Sequence, residues 1–223
     1  MTDPGTVGAL VPAAGLGVRL GPGAPKALRE LAGEPLLVHA VRGLRASPSV
    51  GPVVVAATDV PLVQELLTPY DVVVVAGGAE RQDSVRLALA ALDPAASLVL
   101  VHDAARCLTP VSVVEAVVAC LRGGAEAVVP VLPVADTVKE VSGDRVVRTL
   151  DRSALRTVQT PQGFQRSVLE RAHASGLASR TDDAGLVEAL GGTVTAVAGS
   201  EEAFKVTHPL DLLLAEALLA ARS

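Results

Sequence analysis

The sequence predicts an α/β fold built on an open, mostly parallel sheet with helices on both faces. Short, nearly continuous runs of Val, Leu and Ala recur along the chain and alternate with longer segments of helical periodicity. Apolar runs without polar alternation are typical of strands that are covered on both faces. Alternation of strands with helices implies right-handed crossovers and parallel neighbours, the arrangement of Rossmann-like folds.

The elements follow in chain order. The predicted strands are Val7–Val11, Val53–Ala57, Val72–Val75, Leu98–Val101 and Ala127–Val131. The predicted helices between them are Pro35–Arg45, Pro61–Leu67, Asp83–Leu92 and Val111–Arg122, and Pro is well tolerated in a first helical turn. Later in the chain we expect helices near Gln165–Ser175 and Asp182–Leu190, a strand near Thr193–Val197 and a helix from Pro209.

Residues 134–152 interrupt this alternation. Two short β-like runs flank Ser142-Gly143-Asp144, a turn signal, and predict a hairpin arm that projects from the sheet. An isolated two-stranded hairpin is marginally stable in water, so we expect the arm to pack against a second subunit in a two-fold homodimer. The chain is predicted to be a single domain, 1–223, with this arm at about 134–152.

Composition narrows the class of protein. Half of the 223 residues are hydrophobic but only three are aromatic, and the net charge is −5. Nucleic acid is therefore an unlikely partner, since phosphate backbones recruit basic surfaces and single strands need stacking platforms. No apolar run reaches the roughly 18 residues of a membrane span, and two cysteines are too few for a disulfide framework. We expect a cytoplasmic metabolic enzyme without a membrane partner.

A glycine-rich loop follows the first predicted strand. The stretch from Leu10 to Leu20 reads LVPAAGLGVRL, and GPGAPK follows it up to Lys26. Glycines allow backbone N–H groups to approach an anion closely, and Arg19 and Lys26 add two cations. A triphosphate is a natural ligand for this combination, although a Gly-x-Gly alone could equally be an ordinary tight turn.

Two better-known phosphate loops do not fit. A Walker loop needs Ser or Thr directly after its Lys, whereas Lys26 stands between Pro25 and Ala27. The dinucleotide fingerprint needs a third Gly where Leu20 stands and an acidic residue about twenty positions further on. Asp59 is too distant to serve, so a nicotinamide-dependent oxidoreductase is disfavoured.

The longer pattern Pro-Ala-Ala-Gly-x-Gly-x-Arg with a downstream Pro-Lys resembles the signature of sugar- and polyol-phosphate nucleotidyltransferases. Further strings, in order along nearly the whole chain, resemble the 2-C-methyl-D-erythritol 4-phosphate cytidylyltransferase family of the non-mevalonate isoprenoid pathway. They are GGAERQDS at 77–84, VHDAAR at 101–106, Asp136-Thr137, Asp151-Arg152, TPQGF at 160–164, TDDA at 181–184 and FKVT at 204–207. The resemblance implies transfer of CMP from CTP to a polyol phosphate, with Mg²⁺ as cofactor.

The resemblance also implies residue roles. Arg19 and Lys26 would stabilise the transition state, and Asp103 would bind the metal. The predicted nucleotide-binding residues are Pro12, Ala13, Ala14, Gly15, Gly78, Arg81 and Ser84. The predicted acceptor-binding residues are Arg106, Thr137, Arg152 and Thr160, and Arg152 and Lys205 would position the acceptor phosphate. In the family the arm carries Thr137 and Arg152 to the partner's site.

Physical chemistry supports these assignments. Attack on the α-phosphorus puts charge on the equatorial oxygens and on pyrophosphate, which preorganised cations stabilise. A phosphate monoester is already anionic near neutral pH, so no general base is needed. Asp103 follows a buried strand, where ligands bind in open α/β sheets, and one carboxylate plus phosphate oxygens suffices for Mg²⁺. Only three lysines occur, and Lys26 and Lys205 fall on family positions.

Several alternatives stay open from the sequence alone. Arg19 and Lys26 could be solvated surface charges. Ser84 is implied to read the cytosine edge together with the Gly78 backbone, but Ser84 or Asp83 could simply cap a helix. We expect Cys107 and all four histidines to be structural. A ribitol 5-phosphate cytidylyltransferase would share the nucleotide-binding half, and an inactive nucleotide sensor is a more remote alternative.

Overall fold

The computed structural model describes residues 5–15, 17–21, 23–177 and 182–222. The strands are β1 Thr6–Pro12, β2 Glu30–Leu31, β3 Glu34–Pro35, β4 Val50–Ala57, β5 Val73–Ala76, β6 Ala96–Val101, β7 Ala127–Pro133, β8 Lys139–Ser142, β9 Arg145–Thr149, β10 Arg156–Val158, β11 Gln162–Gln165 and β12 Val194–Ala198. The α-helices are α1 Leu36–Arg45, α2 Val60–Leu66, α3 Arg81–Ala91, α4 Val111–Arg122, α5 Arg166–Ala174, α6 Ala184–Ala189 and α7 Pro209–Arg222.

The central sheet has the order β10-β7-β11-β6-β1-β4-β5, and β12 pairs with β7. Strands β5, β4, β1 and β6 run parallel to one another, and β12 runs parallel to β7. Their carboxyl ends lie at one edge of the sheet, from which the loops after β1, β5 and β6 emerge. The predicted open, mostly parallel sheet is therefore confirmed.

Two apolar layers cover the sheet. On one face α1, α2 and α4 pack against it, and on the other α3, α5 and α6 do so. Alternate residues of β1 serve the two layers, since Val7, Ala9 and Val11 belong to the first and Leu10 to the second. This double burial explains the uninterrupted apolar runs in the sequence and confirms the predicted helices on both faces.

A third, smaller cluster lies beneath α7 and contains Cys107. Cys107 is buried, so the prediction of a packed thiol is confirmed, and burial raises the pKa of this thiol to about 12. Among the described residues no helix is both long enough and apolar enough to cross a membrane.

The antiparallel strands β10 and β11 were not expected. Both strands pair with β7, β10 along residues 131–133 and β11 along residues 127–128. In the gap between these two stretches of β7, Gln159 N donates to Pro130 O at 2.8 Å. β11 is also inserted between β7 and β6, where Phe164 is fully buried. The four residues of β11 include two Gln and one Gly and form no apolar run, so this strand is defined by its pairing with β6 and β7. The three-residue strand β10 is too short to show a pattern in the sequence.

The predicted arm is a two-stranded sheet of its own. β8 and β9 pair only with each other among the described strands, and every residue from 139 to 149 is exposed. The side chains of Val141, Val146 and Val147 are more than half exposed. The arm thus presents apolar surface that this chain does not cover.

We predict that Phe164→Ala destabilises the protein by about 3–5 kcal/mol, since a fully buried aromatic side chain leaves a cavity between β6 and β7. Urea unfolding followed by circular dichroism measures the loss. Leu87→Ala on the exposed side of α3 is the control, and its effect should stay near 0.5 kcal/mol. A loss below about 1 kcal/mol for Phe164→Ala would contradict this account of the core.

Candidate active site

A cleft opens at the carboxyl ends of β1, β5 and β6. Its volume is about 820 Å³, part of it open to solvent. This main cleft brings together eleven of the residues predicted from sequence: Pro12, Ala13, Ala14, Gly15, Arg19, Lys26, Gly78, Arg81, Ser84, Asp103 and Lys205. They come from loops far apart in the chain, so the cleft exists only in the folded protein.

The loop after β1 forms one wall. Ala13 N donates to Ala56 O at 2.7 Å, which extends the pairing of β1 with β4 into the loop. Gly17 has a φ of +68°, and a Cβ there would lie 2.3 Å from Cβ of Lys26. Glycine therefore allows the loop to fold onto Lys26. A Cβ at Gly15 would meet no described atom within 4 Å, so glycine there leaves the cleft itself open.

Lys26 lies half-buried in the cleft. Burial, and then the neighbouring charge of Lys205, lower the pKa of Lys26 to about 8, and Arg19 adds to the effect. Asp103 opposes it only in part. Among the described residues that line the cleft, four side chains are cationic and two are acidic, an excess of positive charge that suits a polyphosphate.

The loop after β5 also lines the cleft. Gly78 N donates to Ser84 Oγ at 3.1 Å, and Ser84 Oγ donates to Glu80 O at 3.2 Å. Asp83 Oδ2 accepts from Glu80 N at 3.4 Å at the start of α3. Asp83 thus closes the helix N-terminus, while the buried Ser84 lines the cleft. Base reading by Gly78 and Ser84 stays a prediction.

Asp103 lies at the centre of the site, just after β6. Its Oδ2 is 2.6 Å from Lys205 Nζ, and its Oδ1 is 3.3 Å from Arg81 Nε. Burial favours the neutral carboxyl, but the charges of Arg81 and Lys205 outweigh it and hold the pKa of Asp103 well below its usual range. Asp103 is therefore a permanent anion at neutral pH.

The loop that carries Asp103 is braced from β11. Thr160 Oγ1 accepts from Asp103 N at 3.0 Å and lies 3.1 Å from His102 Nδ1. Burial lowers the pKa of His102 to about 4, so its ring is neutral at pH 7, and one hydrogen bond joins Nδ1 to the Thr160 hydroxyl. His102 is thus structural, as expected. These two bonds leave the Thr160 hydroxyl one further hydrogen bond, and its contact with the acceptor stays a prediction.

A second recess of about 490 Å³ adjoins the main cleft and shares Arg81, Asp103 and Lys205 with it. Arg106 lines this recess, but its Nη1 donates to Ala203 O at 2.7 Å and its Nη2 to Val158 O at 3.1 Å. Arg106 therefore ties the 201–203 turn to β10. Its Nε is buried without a hydrogen-bond partner among the described residues.

Two predicted acceptor residues lie elsewhere. Thr137 and Arg152 are exposed near the base of the arm, and neither lines the main cleft or the second recess. Arg152 donates to Ala135 O. Within one chain the structure does not bring these two residues to the site.

Asp183 is a site residue to which the sequence assigned no role. It lies within the TDDA string, whose first residue, Thr181, is outside the described residues. Asp183 Oδ2 is 2.6 Å from Arg81 Nη1, and Oδ1 is 3.0 Å from His173 Nε2. These partners lie about 100 and 10 positions away in the chain, and no local pattern indicates either contact.

The donor set fits Mg²⁺ held largely by substrate. No group of three or more His, Cys, Asp or Glu side chains in the described part of the chain could hold a metal by itself. Asp103 supplies one ionised carboxylate in the cleft wall, and Mg²⁺ is commonly held by one or two carboxylates together with phosphate oxygens and water.

Comparison with known proteins gives consistent matches. A family model described as 2-C-methyl-D-erythritol 4-phosphate cytidylyltransferase matches residues 7–221. The enzyme of that name from Frankia casuarinae is 61% identical over 217 residues, covering 96% of this chain and 81% of the relative. The crystal structure of the Thermus thermophilus cytidylyltransferase of that name is 41% identical, with a TM-score of 0.78 over 96% of this chain and 98% of that one.

A more distant structure agrees. The 4-diphosphocytidyl-2C-methyl-D-erythritol synthase of Anaerococcus prevotii is 26% identical, with a TM-score of 0.86 over 98% of this chain and 97% of that one.

We predict that Lys26→Met raises the thermal midpoint of the ligand-free protein at pH 7. The folded pKa of about 8 lies below the ordinary 10.5, so keeping Lys26 charged opposes folding below pH 8. This cost fades as the pH rises from 8 to 10.5, and the gain from Lys26→Met should shrink over the same range. Thermal scans at pH 7 and pH 10 measure it. Lys139→Met on the exposed arm should change little, and a lower midpoint for Lys26→Met at pH 7 would contradict the assignment.

Proposed function

This chain belongs to the 2-C-methyl-D-erythritol 4-phosphate cytidylyltransferase family, and from that membership we propose how its cleft performs the family's reaction. The enzyme transfers CMP from CTP to 2-C-methyl-D-erythritol 4-phosphate in isoprenoid precursor synthesis, giving 4-diphosphocytidyl-2-C-methyl-D-erythritol and pyrophosphate. The observation that carries the residue assignments is the convergence of Arg19, Lys26, Asp103 and Lys205 on one cleft.

In this proposal the main cleft binds CTP. An acceptor phosphate oxygen forms a bond to the α-phosphorus, the bond from that phosphorus to the bridging oxygen breaks, and pyrophosphate leaves with the electron pair. Arg19 and Lys26 face the charge that develops and require no rearrangement. The lowered pKa of Lys26 supports this role, because an incoming triphosphate supplies the negative charge that the cleft around Lys26 lacks.

We place the acceptor in the second recess. Lys205 lies on the boundary between the recess and the main cleft, so an acceptor phosphate bound there would lie beside the nucleotide. Catalysis is then mainly orientation and charge neutralisation, since the attacking phosphate needs no general base. Gly78 and Ser84, which line the main cleft, are our candidates for reading the cytosine base.

Asp103 is the proposed protein ligand for Mg²⁺, together with phosphate oxygens of CTP. The bound ion would neutralise phosphate charge. Since both oxygens of Asp103 already contact cations, binding there would require Asp103 to share an oxygen that Arg81 or Lys205 now contacts.

We further propose that two chains form a homodimer in which each arm supplies Thr137 and Arg152 to the partner's second recess. Three valines on the arm, Val141, Val146 and Val147, are 59%, 54% and 56% exposed. Covering such apolar surface on a second subunit is favourable. We also propose a cytoplasmic location, because Cys107 and Cys120 are free thiols of the kind that a reducing compartment preserves.

We predict that a pyrophosphate-release screen crossing four nucleoside triphosphates with several polyol phosphates shows turnover chiefly with CTP and 2-C-methyl-D-erythritol 4-phosphate. Coupled phosphate detection in the presence of Mg²⁺ measures it. A preference for ribitol 5-phosphate would overturn the acceptor assignment. No release with any acceptor would instead indicate a nucleotide-binding sensor.

We predict that two inactive variants complement each other if the arm acts on the partner. Lys26→Ala should lower kcat by about 10²–10³-fold, as loss of one preorganised donor does, and Arg152→Ala should also be impaired. In a mixed dimer one site then has both an intact Lys26 and an intact Arg152 from the other chain. Co-refolding equal amounts should restore about a quarter of wild-type activity, given random pairing into two-site dimers.

The control for complementation is a mixture of Lys26→Ala with the double variant Lys26→Ala/Arg152→Ala, which has no intact site in any pairing. If Lys26→Ala and Arg152→Ala regain no activity although mixed dimers form, Arg152 does not act across the interface.

A further inference from the structure

Asp183 begins α6 but does not cap it. An Asp at a helix N-cap ordinarily accepts a hydrogen bond from a backbone N–H of the first turn. The side chain of Asp183 makes no such bond. Its neighbour Asp182 ties down the backbone instead, because Asp182 Oδ1 accepts from Gly185 N at 3.0 Å and Oδ2 accepts from Gln162 Nε2 at 2.6 Å.

Both oxygens of Asp183 are used by side chains from other elements. Arg81 on α3 takes one and His173 on α5 takes the other. Asp183 is 1% exposed, so its charge is removed from water. A buried carboxylate is costly unless it is paired, and the short contact with Arg81 provides the pairing.

Arg81 is held at two points. Its Nε donates to Asp103 and its Nη1 to Asp183, so the plane of the guanidinium is fixed by two carboxylates. Burial opposes the charge of Arg81, yet the two carboxylates raise its pKa. Of its five N–H groups, these contacts use two, and Arg81 lines both the main cleft and the second recess. The remaining donors therefore lie where substrate oxygens would bind.

His173 holds the oxygen of Asp183 that does not contact Arg81. Its ring is buried, and its Nδ1 has no hydrogen-bond partner among the described residues. A hydrogen on the unpartnered Nδ1 would be a buried donor without an acceptor, which costs folding free energy. The hydrogen therefore lies on Nε2, which donates it to Asp183. The second oxygen of Asp183 is thereby left facing Arg81.

We propose that Asp183, supported by His173, is a positioning residue that holds the guanidinium of Arg81 against Asp103 and directs its remaining N–H groups into the substrate cleft. A row of side-chain contacts links the residues in the order His173, Asp183, Arg81, Asp103 and Lys205. It begins in the apolar layer beneath α5 and ends at the boundary between the main cleft and the second recess. The inference rests on the proposed function in so far as CTP is the ligand of the main cleft.

The experiment is a double-mutant cycle of Asp183→Asn and Arg81→Lys. Asp183→Asn removes the charge but keeps the side-chain shape, and Arg81→Lys keeps the charge but removes the planar fork that bridges two carboxylates. Steady-state kinetics with CTP and the acceptor, CTP titration by calorimetry and thermal scans are run on the wild type, both single variants and the double variant. Glu170→Gln, an exposed acid on α5 paired with Arg166, is the matched control.

We expect each single variant to lower kcat/KM for CTP by about 10- to 100-fold, the range for losing a charged hydrogen bond. Because Asp183 acts through Arg81, the double variant should lose no more than about threefold beyond Arg81→Lys alone. If Asp183 had only a structural role, the fold losses in kcat/KM of the two single variants would multiply in the double variant. Glu170→Gln should match the wild type.

Multiplied losses would overturn the proposal. So would a lowered midpoint for Asp183→Asn with unchanged kinetics and CTP binding, or an Arg81→Lys variant that behaves as wild type. If Asp183→Asn does not fold, His173→Leu tests the same row, since it removes the donor behind Asp183 and should lose activity only when Arg81 is intact.

Failure of the proposed function is separable from failure of this inference. A wild type without turnover overturns the function, whereas the CTP titrations, which need no turnover, still decide the role of Asp183. A wild type that does not bind CTP overturns both.

Discussion

The double ion pair of Asp103 is the interaction on which the site depends. Its two oxygens contact Arg81 from α3 and Lys205 from the loop after β12, so one carboxylate joins segments that approach the cleft from different parts of the sheet. Such a partly buried anion is stable only because it is paired on both sides. The parallel strands provide this meeting point, because their carboxyl ends lie at one edge.

This arrangement leaves an imbalance of charge with a functional meaning. Asp103 and Asp183 balance Arg81 and Lys205, but Lys26 and Arg19 line the same cleft and form no ion pair with a described residue. Burying the ammonium of Lys26 opposes folding of the ligand-free chain, as its lowered pKa indicates. A polyphosphate ligand would remove that cost, so the same feature that weakens the empty protein favours binding.

The sequence predicted the mostly parallel sheet and its covering helices but missed the strands that only their partners define, for identifiable physical reasons. Strands such as β1 and β6 are covered on both faces, and their apolar runs are visible in the sequence itself. β11 is recognisable only through its partners β6 and β7, since Gln162–Gln165 has no apolar run.

The site shows the same division. The cleft loops around Lys26 and Ser84 follow local motifs, and the structure brings their predicted residues together. The role of Asp183 depends on a contact with Arg81 about 100 positions away, and the hydrogen bond of the Thr160 hydroxyl depends on the position of His102. No pattern in the local sequence indicates either contact.

The proposed dimer relates the exposed arm to the second recess, the proposed acceptor site. The recess has Lys205 and Asp103 but not Thr137 or Arg152, while the arm that bears those two residues at its base exposes three valines to water. In the proposed dimer one event would cover the valines and complete the recess. Activity would then depend on protein concentration through subunit association, because a separated chain would retain the nucleotide cleft but not the full acceptor site.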